Sequence, residues 1–510
     1  MKRIVAALAV LLLLASVSSL AQDQDTLRLS LQQSLNIALD KSYDIQVLRQ
    51  SNISAERNLW AAKAAYRTNV TSSIYAPIYD EGFKLIEVAD GNPVAKKYGD
   101  YRIRGVLDIN QPMPWLPLGG GTLTFRSEGY QIQSWTPSGL DPNEDIKSKQ
   151  FYTSLSVRLN KPLFTINTLA LNLKQAELSF ERQDRVFKRS ELDLVYQVTS
   201  AFYRLHQRTE THRINQEKVA RQEKIYLTTT NKFKAGLIAE VEAMQAEVDL
   251  LQYRNDAKSS EGALKEEEAS FKQLLNLPLD APVALLTDLN PKPIYVDVDK
   301  AVALALENRS EIVEQLIDIE QQKISIRQVD AEVAIKGSLS AYYDFSGFSR
   351  ADLPYSSSTK DLFESSWEVL RDTPNRGVTF ELEVPIFDWG KNRAQVQSAK
   401  ANLIKEELAL DNLKVTIRRE VEDVVRSVQE SFDRVQILTK SSEVSQRSFD
   451  ISLQRFANGD ITSTELDRAS EKLNTAKLSY LSAYMEYQLA LADLKRKTLY
   501  DFENKQSLVE

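Results

Sequence analysis

Apolar residues recur at every seventh position along two long stretches of the chain. One series is Leu403, Leu410, Ile417 and Val424, and the same spacing recurs 223 residues earlier, from position 180 to 201. A sustained period of seven predicts long helices with supercoiled packing. We therefore expect two long helices and two shorter returning helices, at about 168–234, 391–457, 237–275 and 461–497.

The hydrophobic period changes to two in four shorter stretches. Phe151, Leu155 and Leu159 face one way, whereas Tyr152 and Arg158 face the other. This alternation predicts strands with one apolar and one polar face, at about 67–79, 151–164, 337–347 and 377–388. It is typical of a soluble sheet with one wet face or of a transmembrane barrel, apolar to lipid and polar to the lumen. Few, long strands surrounded by helices favour the barrel.

The two halves of the chain repeat one another. Residues 29–45 match 296–312 at an offset of 267, whereas 157–164 match 380–387 at an offset of 223. The difference, 267 − 223, places about 44 extra residues in the first half. The inserted segment, 82–136, alternates weakly and is either an extra hairpin or an extended outer loop.

This duplication gives a simple division of the chain. It predicts a first structural repeat at 22–290, a second at 291–498 and a flexible tail at 499–510. Helical patterns at about 30–66 and 308–336 precede the strands of each repeat.

Residues 1–21 have the pattern of a signal peptide. Lys2 and Arg3 precede an apolar run from Ile4 to Leu14, and Ser19-Leu20-Ala21 forms a small-residue cleavage site. The run is shorter than the ~20 residues of a spanning helix. The mature chain is therefore expected to leave the cytoplasm.

The composition excludes several kinds of chemistry. There is no cysteine, so disulfides and thiolate sites are excluded. The two histidines, His206 and His212, lack the i, i+4 spacing of a helical metal pair, and we interpret both as solvated helix residues. A formal charge of −7 without basic clusters gives no indication of nucleic acid. No catalytic residue set, metal site or cofactor motif occurs, so no enzyme is predicted.

Each repeat carries a glycine-containing turn between its long helix and its returning helix. The segments are FKAGLI, 233–238, and FANGDI, 456–461, and Gly236 and Gly459 are again 223 residues apart. Glycine in the left-handed conformation commonly ends a helix. These turns are therefore predicted helical tips.

In its order of motifs, the chain resembles the TolC-type outer membrane efflux and secretion channels. The resemblance covers nearly the whole mature chain: the entry motifs LSLQQSLNIAL and VDVDKAVALAL, the strand exits NKPLF and VPIFDWG, and the two tips. It implies a mainly α fold with β. In that fold a trimeric shared transmembrane β-barrel, with four strands from each protomer, continues as a long antiparallel α-helical coiled-coil barrel across the periplasm.

The resemblance also implies a function and partners. It predicts a homotrimer in the outer membrane lipid of a Gram-negative bacterium that acts as a passive, gated exit duct in a tripartite efflux or type I secretion system. A periplasmic adaptor and an inner-membrane transporter would dock at the tips, through Gly236, Leu237, Ile238, Gly459, Asp460 and Ile461. The alternative function is a periplasmic or secreted coiled-coil scaffold.

Family channels close their periplasmic entrance just past the second tip. The matching positions are Glu465 and Arg468, with Glu242 as the first-half equivalent. Arg468 stands where the family usually has an acid, so it is expected to pair with Glu465 or with a neighbouring helix. Thr462-x-x-Glu465 is also a capping box, which is a local explanation for Glu465. For Glu242 the alternative is a solvated helix charge.

Overall fold

A computed structural model describes residues 27–87, 93–117, 119–137, 145–287, 291–332, 335–352, 358–370 and 374–508. The predicted signal peptide, 1–21, lies outside these residues. No described helix is long and apolar enough to cross a membrane.

The described helices are α1 to α9, with bounds Leu31–Lys41, Tyr43–Ala64, Thr168–Lys234, Glu240–Leu274, Val298–Asn308, Ser310–Glu332, Thr359–Leu370, Lys391–Asn458 and Ser463–Thr498. The described strands are β1 to β10, with bounds Leu27–Ser30, Asn69–Glu87, Pro93–Pro112, Thr122–Pro137, Asp145–Leu163, Val283–Leu286, Lys336–Asp352, Pro374–Glu383, Tyr500–Asp501 and Gln506–Ser507. The heptad stretches are thus continuous helices, and α3 spans the residues predicted for it.

The pattern expected as one helix at 30–66 is two helices in the structure. The chain breaks at Ser42, whose backbone is extended (ψ 150°) and whose side-chain oxygen accepts a hydrogen bond from the Ile45 N–H at 3.2 Å. A second break lies at Arg309, between α5 and α6. At such breaks a side chain or an extended backbone replaces one turn of the helical ladder.

The chain divides into two compact units. The first comprises Met1–Ser51, Arg185–Val313 and Asp411–Glu510. In its described part, the heptad positions of α3 and α8 join residues of α4 and α9 in one core, and Phe202, Phe271, Ile417 and Tyr484 are almost fully buried. Each such side chain contributes about 1.5–3 kcal/mol by leaving water. Two short parallel strands, β1 and β6, also lie in this unit.

The predicted loose tail at 499–510 is wrong for residues 500–507. They form a small antiparallel hairpin, β9–β10. Asp501 is buried; its carboxylate accepts hydrogen bonds from Asn504, and Lys495 lies 3.0 Å away. Phe502 packs against the core. An ion pair and an apolar contact therefore hold this hairpin in place.

The second unit comprises Asn52–Asp184 and Glu314–Leu410. Its described strands form a six-stranded antiparallel sheet in the order β2-β3-β4-β5-β7-β8. Of the two alternatives for the inserted segment, the hairpin is the one observed, because β3 and β4 pair with each other and lie between β2 and β5. The sheet thus has two more strands than the four implied by the resemblance.

Two features around the last strand of the sheet differ from the prediction. The strand expected to reach residue 388 ends at Glu383, and Pro385 follows, which has no N–H to donate to a neighbouring strand. Helix α7 was not predicted. Its residues follow the polar segment 355–358, which is typical of a loop.

Candidate functional site

The two tips have the same backbone structure. Gly236 has φ 73° and Gly459 has φ 88°. The Gly236 N–H donates to the Phe233 carbonyl at 2.8 Å, and the Leu237 N–H donates to the Lys232 carbonyl at 2.9 Å. The N–H groups of residues 459 and 460 repeat both hydrogen bonds at 3.1 and 2.9 Å. This is the Schellman ending of a helix, and it occurs twice at the spacing of the duplication.

The fold brings the two tips together. They line one cavity of about 550 Å³. Lys232 bridges them, because its ammonium donates to the Phe456 carbonyl at 3.1 Å and lies 4.4 Å from the centre of the Phe456 ring. Of the nine predicted site residues, seven line this cavity: Leu237, Ile238, Glu242, Gly459, Asp460, Ile461 and Glu465. An eighth, Gly236, forms the adjoining turn.

Glu465 has the local role that its sequence context suggested. The Thr462 N–H donates to its carboxylate at 3.0 Å, and the Glu465 N–H donates to the Thr462 hydroxyl at 3.3 Å. This reciprocal capping box begins α9. Glu242 lies in the first turn of α4, where the N-cap is Ala239 and no side chain caps the helix. Glu242 is half-buried and Glu465 is exposed, and both line the same cavity.

Arg468 does not belong to this group. It is exposed, does not line the cavity, and forms no ion pair with Glu465 within the described part of the chain. The expected pairing of Arg468 with Glu465 is therefore not formed within this chain. The Glu465 carboxylate instead accepts the hydrogen bond from the Thr462 N–H at the start of α9. The expectation of a partner on a neighbouring helix stays a prediction.

Polar contacts just behind the tips were not found from the sequence. The Tyr253 hydroxyl donates to Asp467 at 2.6 Å and so joins α4 to α9. Arg221 donates to Asn474 at 2.6 Å and joins α3 to α9. The Lys218 ammonium lies 3.7 Å from the centre of the Tyr253 ring and pairs with Glu471. These contacts fasten the returning helix α9 to the first-half hairpin.

The tyrosine–aspartate pair is electrostatically unusual. Burial raises the pKa of Asp467, and the hydrogen bond from Tyr253 opposes part of that rise. The pKa of Tyr253 is raised well above its usual value, mainly by burial and secondly by this hydrogen bond. A half-buried carboxylate that accepts a hydrogen bond from a neutral hydroxyl loses its partner when the hydroxyl is removed.

The two histidines differ from each other in the structure. The prediction of a solvated side chain is wrong for His206, which is 6% exposed and shares a hydrogen bond of 3.2 Å with Thr287. Burial lowers the pKa of His206, although the charge of Glu210 opposes this. His212 is half-buried and contacts Ser260 at 3.0 Å. Neither lies in a cluster of three metal-ligating side chains among the described residues.

The fold is that of the outer membrane channels. The described chain is similar to the Campylobacter jejuni CmeC outer membrane channel, with a TM-score of 0.67 at 14% identity, covering 94% of this chain and 87% of that one. It is also similar to the Vibrio cholerae outer membrane protein VceC, with a TM-score of 0.63 at 12% identity, covering 93% and 97%. At these identities the similarity shows the fold alone.

The sequence comparisons define the family. The model of the outer membrane efflux protein family matches residues 127–277 and 301–498, which is more than half of the chain. Nodulation protein T of Rhizobium leguminosarum bv. trifolii is 21% identical over 412 residues, covering 78% of this chain and 84% of that protein. The chain therefore belongs to the outer membrane efflux protein family. As a member of this family, the chain functions in efflux at the outer membrane, and the scaffold alternative is not favoured.

Proposed function

We propose that three copies of this chain close their sheets into one transmembrane barrel, which continues as a helical duct with a gated periplasmic entrance. The observation that carries this proposal is the sheet of the second unit. Its outer strands, β2 and β8, each have one neighbour, so the described sheet has two open edges. Open edges are not tolerated in lipid, and pairing β8 of one copy with β2 of the next removes them.

The two faces of the sheet suit this environment. Residues at paired positions of adjacent strands share a face. One face is apolar, and Ile74, Val378 and Phe380 on it are 78%, 73% and 57% exposed. This exposure supports contact with lipid, because soluble proteins rarely leave a large apolar face in water.

The opposite face carries ion pairs between neighbouring strands. Arg126 meets Asp108 at 2.6 Å, and Arg104 meets Glu128 at 2.7 Å. Such charges suit a water-filled lumen rather than lipid. The sheet is therefore expected to present its apolar face outward and its charged face inward.

The strand number sets the width of the proposed passage. Three copies with six strands each give eighteen strands, rather than the twelve implied by the resemblance. Barrel diameter grows roughly linearly with strand number, and barrels of 16–18 strands leave an aqueous channel. The inserted hairpin therefore widens the exit.

The tip cavity is the proposed docking site and entrance. Leu237, Ile238 and Ile461 provide apolar contacts for a periplasmic adaptor, while Glu242 and Glu465 place carboxylates at the entrance. Arg468 is one helical turn further along α9 and is the third proposed constriction residue. Passage is passive, and an inner-membrane transporter supplies the energy. Two copies of the same turn in one chain support adaptor contacts that repeat around the ring.

Conductance tests the proposal directly. The purified protein is reconstituted into a planar bilayer, and discrete conductance steps are expected under an applied voltage. The Tyr253→Phe variant, which removes the contact behind the tips, is expected to conduct more. A protein that enters the membrane but gives no conductance in either form would contradict the duct.

A further inference from the structure

Helix α7 follows β7 in the sequence and lies on the apolar face of the sheet, where it packs against β5 and β7. Its Ser366 hydroxyl is 2.6 Å from the Thr153 hydroxyl in a buried contact. Lys149 donates to the Thr359 hydroxyl at 2.6 Å, and the Ser349 hydroxyl donates to the Leu362 carbonyl. Thr153, Lys149 and Ser349 share the face that carries Leu155.

The close approach of α7 depends on a glycine in β7. A Cβ atom at Gly347 would lie 1.8 Å from the Ser366 carbonyl oxygen and 3.0 Å from the Leu370 Cβ. Any other residue there would push the helix away. Leu362, Ser366 and Leu370 are buried, four residues apart, against the sheet. The helix is therefore firmly seated on this face.

The flanks of α7 are apolar and uncovered. Phe363, Trp367 and Val369 are 42%, 39% and 42% exposed. The Phe363 ring meets the Phe151 ring edge to face at 5.4 Å and lies 6.2 Å from Trp367. An aromatic row thus runs from the sheet onto the helix and makes one apolar surface with it.

The polar residues of α7 occupy the side away from the sheet. Lys360 and Glu364 have side chains 80% and 60% exposed, and Glu368 is also exposed. A helix with apolar flanks and a charged back matches the pattern of helices that lie in the plane of a membrane interface. Tryptophan is enriched at that depth.

The position along the strands fixes which interface this is. Strand β5 ends at Leu163, just before α3 begins. Helix α7 contacts the opposite end of β5, from Lys149 to Thr153. In the proposed function the long helices form the periplasmic duct, so α7 belongs at the outward end of the sheet.

We propose that α7 is an interfacial helix whose occupant is lipid of the outer leaflet. Acyl chains cover Phe363, Trp367 and Val369, and the charged back, with Lys360 and Glu364, lies among the headgroups. This inference rests on the proposed function, because it needs the apolar face of the sheet to face lipid. Continuity between that face and the flanks of α7 identifies lipid as the occupant.

The chain contains no cysteine, so single-cysteine variants can carry a spin label without background. Phe363→Cys and Val369→Cys are labelled on α7, and Glu364→Cys on the same helix is the matched control. The proteins are reconstituted in phosphatidylethanolamine–phosphatidylglycerol vesicles, and collisions with oxygen and with a water-soluble nickel complex are compared. The ratio of oxygen to nickel collisions is expected to be several-fold higher at 363 and 369 than at 364.

A fourth label separates this inference from the proposed function. Phe380→Cys lies on the sheet itself, on the apolar face. If the label at 380 is in lipid but those at 363 and 369 are as exposed to nickel as the label at 364, the inference on α7 is overturned and the barrel stands. If the label at 380 is also in water, both the inference on α7 and the proposed barrel are contradicted. Labels at 363 and 369 shielded from both reagents would indicate a covering protein surface and would overturn the lipid assignment.

Discussion

The Tyr253 hydroxyl lies 2.6 Å from an oxygen of Asp467, across 214 positions of sequence. The contact joins the returning helix of the first half to that of the second, just behind the tips. Asp467 is followed by Arg468 and lies two residues beyond Glu465. Any movement that separates the tips must therefore break this hydrogen bond or carry both helices together.

Removing the hydroxyl at position 253 is expected to loosen the entrance. Tyr253→Phe leaves the half-buried Asp467 carboxyl without its hydrogen-bond donor, which costs about 1–3 kcal/mol. We expect a higher resting conductance in planar bilayers. Tyr226→Phe on α3 is the matched control, since the Tyr226 side chain forms no hydrogen bond with another side chain in the described part of the chain. Equal conductance in the two variants would exclude the 253–467 contact from the gate.

The two roles of Glu465 can be separated. Glu465→Gln keeps a side-chain acceptor for the Thr462 N–H, since glutamine also occupies this position in capping boxes, but it removes the charge. We expect weaker cation selectivity, measured as a smaller reversal potential across a salt gradient, with an unchanged thermal midpoint.

The control for this prediction is a variant that removes the cap but keeps the charge of Glu465. Thr462→Ala removes the cap and is expected to cost about 1 kcal/mol of stability while leaving the selectivity as it was. A reversal potential that does not move in Glu465→Gln would leave Glu465 as a capping residue only.

The tip glycines are required for their conformation rather than for space. A Cβ at Gly236 or Gly459 would meet no atom within 4 Å, but a side chain at these positive φ angles costs roughly 1–2 kcal/mol. Gly236→Ala and Gly459→Ala should each lower the thermal unfolding midpoint measured by circular dichroism. Gly262 lies inside α4, and a Cβ there would also meet no atom within 4 Å. Gly262→Ala should raise the midpoint, because alanine stabilises a helix interior by about 0.5–1 kcal/mol relative to glycine. Equal effects at all three positions would contradict this account.

The sidedness of the sheet predicts unequal effects for neighbouring positions. Leu155→Arg places a charge on the lipid side, which costs about 2–4 kcal/mol near the middle of the bilayer. Ser154→Arg places the same residue on the lumen side. Membrane insertion, measured as the fraction recovered in the outer membrane, should fall for the first and stay near wild type for the second. Similar recovery of both would argue against the apolar face as the lipid face.

His206 predicts a loss of stability in mild acid. Its pKa is lowered in the folded protein by burial, while the unfolded chain has a value near 6.5. As the pH falls below about 6.5, the unfolded chain therefore takes up the proton first, and stability decreases until the lowered folded pKa is reached. His206→Gln should reduce the difference in thermal midpoint between pH 7 and pH 5. An unchanged difference would assign the acid sensitivity to other groups.

Much of the helical part of the fold could be predicted, because burial follows the heptad pattern directly. Leu194, Ile417 and Val424 recur at the expected spacing and are buried in the core. The tips could be predicted as well, since glycine at 236 and at 459 marks a turn whose backbone requires it. These features depend on residues close together in sequence.

Other features depend on partners far apart in sequence. The contact of Tyr253 with Asp467 cannot be recognised from either residue alone, since polar residues on a helix are usually solvated. The inserted strands were ambiguous because Gly105 and Gly129 interrupt the apolar face at paired positions. Helix α7 follows a serine-rich segment. Its buried residues could not be recognised from the helix sequence alone, because they pack against Gly347 of strand β7.

The mass of the detergent-extracted protein, corrected for bound detergent, tests the central claim most directly. The two open edges of each sheet need neighbouring copies, and the proposed barrel of three copies predicts that the chain leaves the membrane as a trimer, at three times the mass of the mature protomer. A stable monomer extracted from the membrane would contradict the shared barrel, and the entrance proposed at the tips would fall with it.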